Sequence, residues 1–202
     1  MSDKEQQAHA EKMRVLQKQQ REKTRQASDA ERGLVFVHTG NGKGKSSSAF
    51  GVIARALGWG HQVGVVQYIK GKWETGEKNF FAKFPESVDW YTMGDGFTWN
   101  TQDLKNDTLA AQAALKRAAE MLQSGQYDLV VLDEINIALR YDYLDVSEVI
   151  AALEQRDTRT SVILTGRDAK PELCEYADLV SDMVEIKHPF QSGIKAKQGL
   201  DF

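Results

Sequence analysis

An α/β fold, a mostly parallel sheet with helices on both faces, is predicted by two features of this 202-residue chain. From Gly33 onward, short runs rich in Val, Ile and Leu alternate with segments of helical period, the pattern of βαβ units joined by right-handed crossovers. Between the first strand and the first helix of that series stands T-G-N-G-K-G-K-S-S, Thr39 to Ser47. Ligands of such sheets collect at the carboxyl ends of the strands, so the residues that carry chemistry should fall there.

The elements follow in order. Residues 1–32 are rich in Gln, Lys, Arg and Glu, with Met13, Val15 and Leu16 almost the only large apolar side chains. A segment this polar buries little surface by itself and is expected as a frayed, solvated arm, helical when it covers a site. Residues 33–202 form the single α/β domain. Leu34–Thr39 reads as a buried strand, and Ala49, Phe50, Ile53, Ala54 and Leu57 mark one face of a helix over Gly44–Leu57 that Gly58 ends. Val63–Ile69 and Val88–Met93 are the second and third strands. Leu104, Ala111, Leu115, Ala118 and Leu122 line a helix terminated by Gly125, and Tyr127–Leu132 is the next strand. Asp145 and Glu148 have the spacing of a capping box, opening a helix with Val149, Ile150 and Leu153 inward. Ser161–Leu164 and Leu179–Ile186 complete the strands.

Bulk properties exclude several classes. A net charge of −3 and a pI near 5.9 leave no basic excess for nucleic acid. No apolar run has the length of a membrane span, and the N-terminus lacks the apolar core of a secretory peptide. The lone cysteine, Cys174, forms no internal disulfide and reads as a small apolar side chain of a cytoplasmic protein. His9, His38, His61 and His188 are scattered, so histidine-based metal binding finds no support.

Thr39–Ser47 is a phosphate loop in the required context, strand before and helix after, which makes the fold a P-loop nucleoside-triphosphatase-like three-layer sandwich. It is off-register. The usual G-x-x-x-x-G-K-[ST] puts a glycine where Thr39 stands, and here Gly40 comes one place later. Gly40, Gly42 and Gly44 let backbone N–H groups, Asn41 among them, turn on an anion beside a helix N-terminus. Lys45 reaches a phosphate oxygen, Ser46 ligates Mg²⁺ or Mn²⁺, and Lys43 adds positive charge. The apolar run V-V-L ending in Asp133 and Glu134 is the partner strand; one of these metal-site candidates ligates the ion or holds its water, and the other is a candidate base. Spacing alone leaves their roles open. One acid activating water makes an ATPase, an acceptor hydroxyl makes a kinase, and neither means that something else attacks ATP. A nucleotide-binding regulator without turnover is a third reading.

M-G-D-G-F-T-W-N, Met93 to Asn100, sets Phe97 and Trp99 in a loop at the same sheet edge, suited to a flat apolar second ligand. Lys70 ends the second strand beside Trp73 and suits an anionic group. Seven segments in order carry a resemblance: T-G-N-G-K-G-K-S, V-V-Q-Y-I-K-G, G-F-T-W-N-T-Q, V-V-L-D-E, Y-D-Y-L, I-L-T-G-R and K-H-P-F-Q-S-G-I-K-A-K-Q-G. Together they resemble the P-loop corrinoid ATP adenosyltransferases, over Gly33 to Phe202, with a similar polar arm. Ser46 stands where that family often has threonine, and either hydroxyl ligates magnesium.

The resemblance implies transfer of the 5′-deoxyadenosyl group of ATP to the Co(I) of a reduced corrinoid, cobalamin or cobyrinic acid a,c-diamide, with release of triphosphate. It further implies that ATP lies reversed, that Glu134 ligates the metal with Asp133 beside it, and that Phe97 and Trp99 crowd the corrinoid's lower face. Arg55 and His188 are further nucleotide-site candidates. The expected partners are a reduced flavin or flavoprotein as electron donor and a second copy of the chain in a homodimer. No nucleic acid and no membrane are expected.

Overall fold

The structure is a computed structural model describing residues 3–28, 31–68, 75–92 and 104–201. The chain divides into two units, Met1–Glu31 and Arg32–Phe202.

The first unit is one helix, α1 (Asp3–Gln26), where a frayed arm was the expectation for the isolated chain. The segment contains neither Gly nor Pro and is built from good helix formers. Lys23 and Arg25 in its last turn oppose the negative end of the helix dipole. Every side chain described in it is exposed.

The second unit is a six-stranded, wholly parallel sheet: β1 (Val35–Thr39), β2 (Val63–Gln67), β3 (Val88–Thr92), β4 (Leu129–Asp133), β5 (Ser161–Thr165) and β6 (Leu179–Asp182), in the order β3-β2-β4-β5-β1-β6. The connecting helices are α2 (Lys45–Gly58), α3 (Gly76–Phe81), α4 (Leu104–Gln123), α5 (Ile135–Arg140), α6 (Val146–Glu154) and α7 (Pro171–Tyr176). A 3₁₀ turn follows at Pro189–Ser192.

Alternation along the strands sends side chains into two cores. On one face Ala49, Phe50 and Ile53 of α2 pack on Val63, Val65, Val131 and Ile163. On the other, Ala114, Ala118 and Leu122 of α4 and Val149 and Leu153 of α6 cover Val66, Val130, Leu132 and Leu164. β4 is buried at all five positions, as a central strand covered on both sides must be. Asp145 caps α6 by accepting from the Ser147 N–H at 2.8 Å. Cys174 is half-buried and packs on the second core.

Two edges differ from expectation. β4 starts at Leu129, not Tyr127. β6 stops at Asp182 rather than running to Ile186, because its partner β1 ends at Thr39 and leaves no further strand to pair with. Instead the Met183 N–H donates to the Thr39 carbonyl (2.9 Å), and the Met183 carbonyl accepts from the Gly42 N–H (2.6 Å). The chain leaving β6 is thereby laid along the phosphate loop. No helix among the described residues is long and apolar enough to cross a membrane.

Candidate active site

The loop between β1 and α2 lies at the carboxyl edge of the sheet, beside the ends of β4 and β5. Gly40 and Gly44 have left-handed φ of 94° and 113°, a conformation that favours glycine. A Cβ at Gly40 would also strike Asp182 Oδ1 and lie 2.5 Å from the Met183 carbonyl. The irregular glycine spacing thus serves two neighbours, the ligand side and the strand-end of β6.

Lys45 opens α2 with only 7% of its surface exposed. Its ammonium donates to the carbonyls of Gly40 (2.8 Å) and Gly42 (2.6 Å), so the lysine folds back on its own loop. Burial lowers its pKa, against which the Glu134 carboxylate pulls upward. Lys43 pairs with Asp201 near the C-terminus (2.6 Å), and Asp201 in turn accepts from the Lys197 N–H (2.8 Å). His38, buried beneath the loop, sets Nδ1 3.4 Å from the Lys45 carbonyl, and burial lowers its pKa.

The acidic pair is asymmetric. Asp133, 2% exposed, accepts from Gln67 Nε2 (3.0 Å) and from the Thr165 hydroxyl (2.8 Å), and the nearby Ser46 hydroxyl also favours its charged form. Burial still pushes its pKa up, with those three donors pulling back. Glu134 sits at φ 62°, a left-handed conformation unusual for a side-chain-bearing residue. Its N–H donates to Thr165 Oγ1 at 2.9 Å. Burial, then the neighbouring Asp133 charge, push the Glu134 carboxyl up to about 7, while Lys45 and Arg167 draw it down. Asp133 thus has its donors inside the protein, whereas among the described residues the Glu134 carboxylate accepts no hydrogen bond.

Two cavities flank the loop. A polar one of about 590 Å³ is bounded by Thr39, Gly40, Asn41, Arg167, Asp168 and Asp182. An apolar one of about 410 Å³ lies between α2 and α3, bounded by Ser47, Phe50, Gly51, Phe80, Phe81 and Leu200.

Thr39–Ser47, Asp133 and Glu134 are therefore brought together. Arg55 is not with them: it lies in the last turn of α2, roughly 15 Å along the axis from Lys45. His188 caps the 3₁₀ turn, accepting from the Phe190 N–H at 3.2 Å, and reaches the loop only through its charge on Asp201. Lys70, Phe97 and Trp99 lie outside the described residues. Gln67, Thr165 and Arg167 belong to the site; V-V-Q-Y-I-K-G and I-L-T-G-R contain them, but the sequence alone assigns them no role. Position is a further signal, since Gln67 and Thr165 end buried apolar strands and Arg167 follows two residues beyond one.

The site can grip a polyphosphate, with a hydroxyl and a carboxylate ready for a hard divalent ion. Among the described residues no three His, Cys, Asp or Glu side chains cluster as a metal cage, so such an ion would take part of its shell from the ligand.

Comparison with known proteins agrees with this geometry. The family described as ATP:corrinoid adenosyltransferase BtuR/CobO/CobP matches residues 31–202. A corrinoid adenosyltransferase of Pseudomonas aeruginosa is 51% identical over 201 residues, covering 100% of this chain and 98% of that one. One from Escherichia coli K12 is 44% identical over 195 residues, covering 94% of this chain and 98% of that one. The crystal structure of the flagellar accessory protein FlaH from Methanocaldococcus jannaschii shares the fold at a TM-score of 0.52, with 12% identity over 75% of this chain and 71% of that one. With a family match across the whole α/β unit and full-length relatives at this identity, the chain belongs to the ATP:corrinoid adenosyltransferase family.

Proposed function

We propose that this protein transfers the 5′-deoxyadenosyl group of ATP to the Co(I) centre of a reduced corrinoid and releases triphosphate. Beyond the family, the observation that carries the reading is the acidic pair: Asp133 is occupied by internal donors, which leaves Glu134 as the carboxylate available to a cation. A Co(I) nucleophile needs no deprotonation, so neither acid has to serve as a base and Glu134 is left to face a cation.

Catalysis then rests on placing C5′ in line with cobalt and on stabilising charge on the leaving triphosphate. Lys45 exchanges its two loop carbonyls for phosphate oxygens, and Lys43 exchanges Asp201. Ser46 and Glu134 would hold Mg²⁺ or Mn²⁺, with Asp133 beside the Ser46 hydroxyl. The donor set fits, because Glu134 carries a charge that burial and Asp133 make costly without a cation. Bound there, a divalent ion neutralises part of the phosphate charge. Phe97 and Trp99 crowd the lower corrinoid face and displace its axial base, easing reduction, while Lys70 contacts an anionic group; these roles come from the family resemblance. The same source supports a reduced flavin or flavoprotein as donor and a homodimer whose polar arm covers the corrinoid.

Incubation with Mg-ATP and chemically reduced cobalamin is expected to yield the cobalt–carbon product by its visible spectrum. ADP without that product would mean an ATPase or kinase. Phe97→Ala and Trp99→Ala are expected to slow reaction from Co(II) far more than from pre-reduced Co(I); equal losses would contradict their role.

A further inference from the structure

Three cations converge on the phosphate loop, since both Arg167 and Lys43 lower the pKa of Lys45 through their charge. Two are already engaged within the chain: Lys45 with the Gly40 and Gly42 carbonyls, and Lys43 with Asp201. Arg167 differs. It is exposed and makes no hydrogen bond or ion pair to another described residue, while its neighbour Asp168 turns away to Arg140 (3.0 Å).

The placement of Arg167 is built, not incidental. β5 ends at Thr165, whose hydroxyl ties Asp133 and the Glu134 N–H together. Gly166 then turns the chain at φ 126°, against the fully buried Asn136. Asn136 Nδ2 donates to the Gly166 carbonyl (3.0 Å), and a Cβ at Gly166 would come within 2.9 Å of Asn136 Cβ. The segment that holds the acidic pair therefore also aims Arg167 at the polar cavity beside Thr39, Gly40 and Asn41. Of the carboxylates there, Asp168 is paired with Arg140, Glu185 accepts from Gln191 (2.7 Å), and Asp182 lies against Gly40. Among the described residues Arg167 is the one cationic side chain lining it. Like charges held together at the edge of an anion loop repel one another until an anion arrives between them.

We propose that Arg167 is a further triphosphate-binding residue, gripping the phosphates from the β5 side while Lys45 and Lys43 hold them from the α2 side. The inference rests on the function proposed above. As the C5′–O bond breaks, its electron pair stays on the triphosphate oxygen, and the Co(I) pair forms the new bond to C5′. The charge gained by the leaving group falls on phosphates that a planar guanidinium can hold by two oxygens at once.

The test uses the full chain and inorganic triphosphate as probe, by titration calorimetry with magnesium present. Arg167→Ala is expected to weaken triphosphate binding about tenfold, the scale of losing a charge-assisted contact. Arg167→Lys should recover part of it. Arg159→Ala, a charge control at the opposite sheet edge, should match wild type. Single-turnover alkylation of pre-reduced cobalamin should slow by a similar factor in Arg167→Ala. Wild-type triphosphate affinity and rate in Arg167→Ala, or an equal loss in Arg159→Ala, would overturn the assignment. If wild type binds triphosphate yet forms no cobalt–carbon bond, the proposed function is at fault, and the calorimetry still decides Arg167.

Discussion

Glu134 shows how a single side chain can be costly for the fold and necessary for the site. Its carboxyl is raised from an ordinary 4.5 to about 7 by burial and by Asp133. The folded state therefore binds a proton that the unfolded state has released between those values. That favours folding below pH 4.5 and is lost as pH rises through 7. Above pH 7 the buried charge costs up to about 3 kcal/mol. Glu134→Gln is thus expected to be more stable than wild type at pH 8 by about 1–3 kcal/mol in urea unfolding without nucleotide, with the gain fading toward pH 5. The same variant should lose magnesium-dependent activity. Equal stability at pH 8 would mean that the carboxylate is already compensated. His38 acts in the opposite direction: its lowered pKa gives stability that is full above about 6.5 and lost as pH falls below it. Residues of this kind were only partly legible. Asp133 and Glu134 announce themselves by ending an apolar strand, but their unequal environments depend on Gln67 and Thr165, which come from separate strands.

At the scale of elements, the unit that matters is β1, its glycine loop and α2, closed over by the chain leaving β6. Two glycines in it should respond oppositely to alanine. Gly40 combines φ 94° with backbone contact from Met183, so Gly40→Ala should cost about 2–4 kcal/mol and weaken ATP binding. Gly51 sits inside α2, where a Cβ meets nothing within 4 Å, so Gly51→Ala should stabilise by about 0.5–1 kcal/mol. Chemical denaturation of both variants checks the pair; similar signs would mean that the loop is not clasped by β6. The loop, α2 and α4 could be read from glycine spacing and helical period. The end of β6 could not, because its apolar run continues to Ile186 while its partner strand stops. Nor could α5, whose six residues are too few to display a period.

For the molecule as a whole, alternation of strands and helices was enough to predict a parallel sheet with two covered faces, and both cores are there. What alternation could not supply is strand order. The order β3-β2-β4-β5-β1-β6 brings the ends of β4 and β5 alongside the loop, and so delivers Thr165 and Arg167 to Lys45. On the proposed function the assembled edge is a polyphosphate clamp set to hold a leaving group, with the phosphorus atoms taking no part in bond exchange. ATP carrying ¹⁸O in the oxygen that bridges C5′ and the α-phosphorus tests this directly. After reaction with Co(I) cobalamin, mass spectrometry should find intact triphosphate carrying the label and an adenosyl group free of it. Label retained on an adenosine 5′-oxygen, or ADP with orthophosphate in place of triphosphate, would contradict the account.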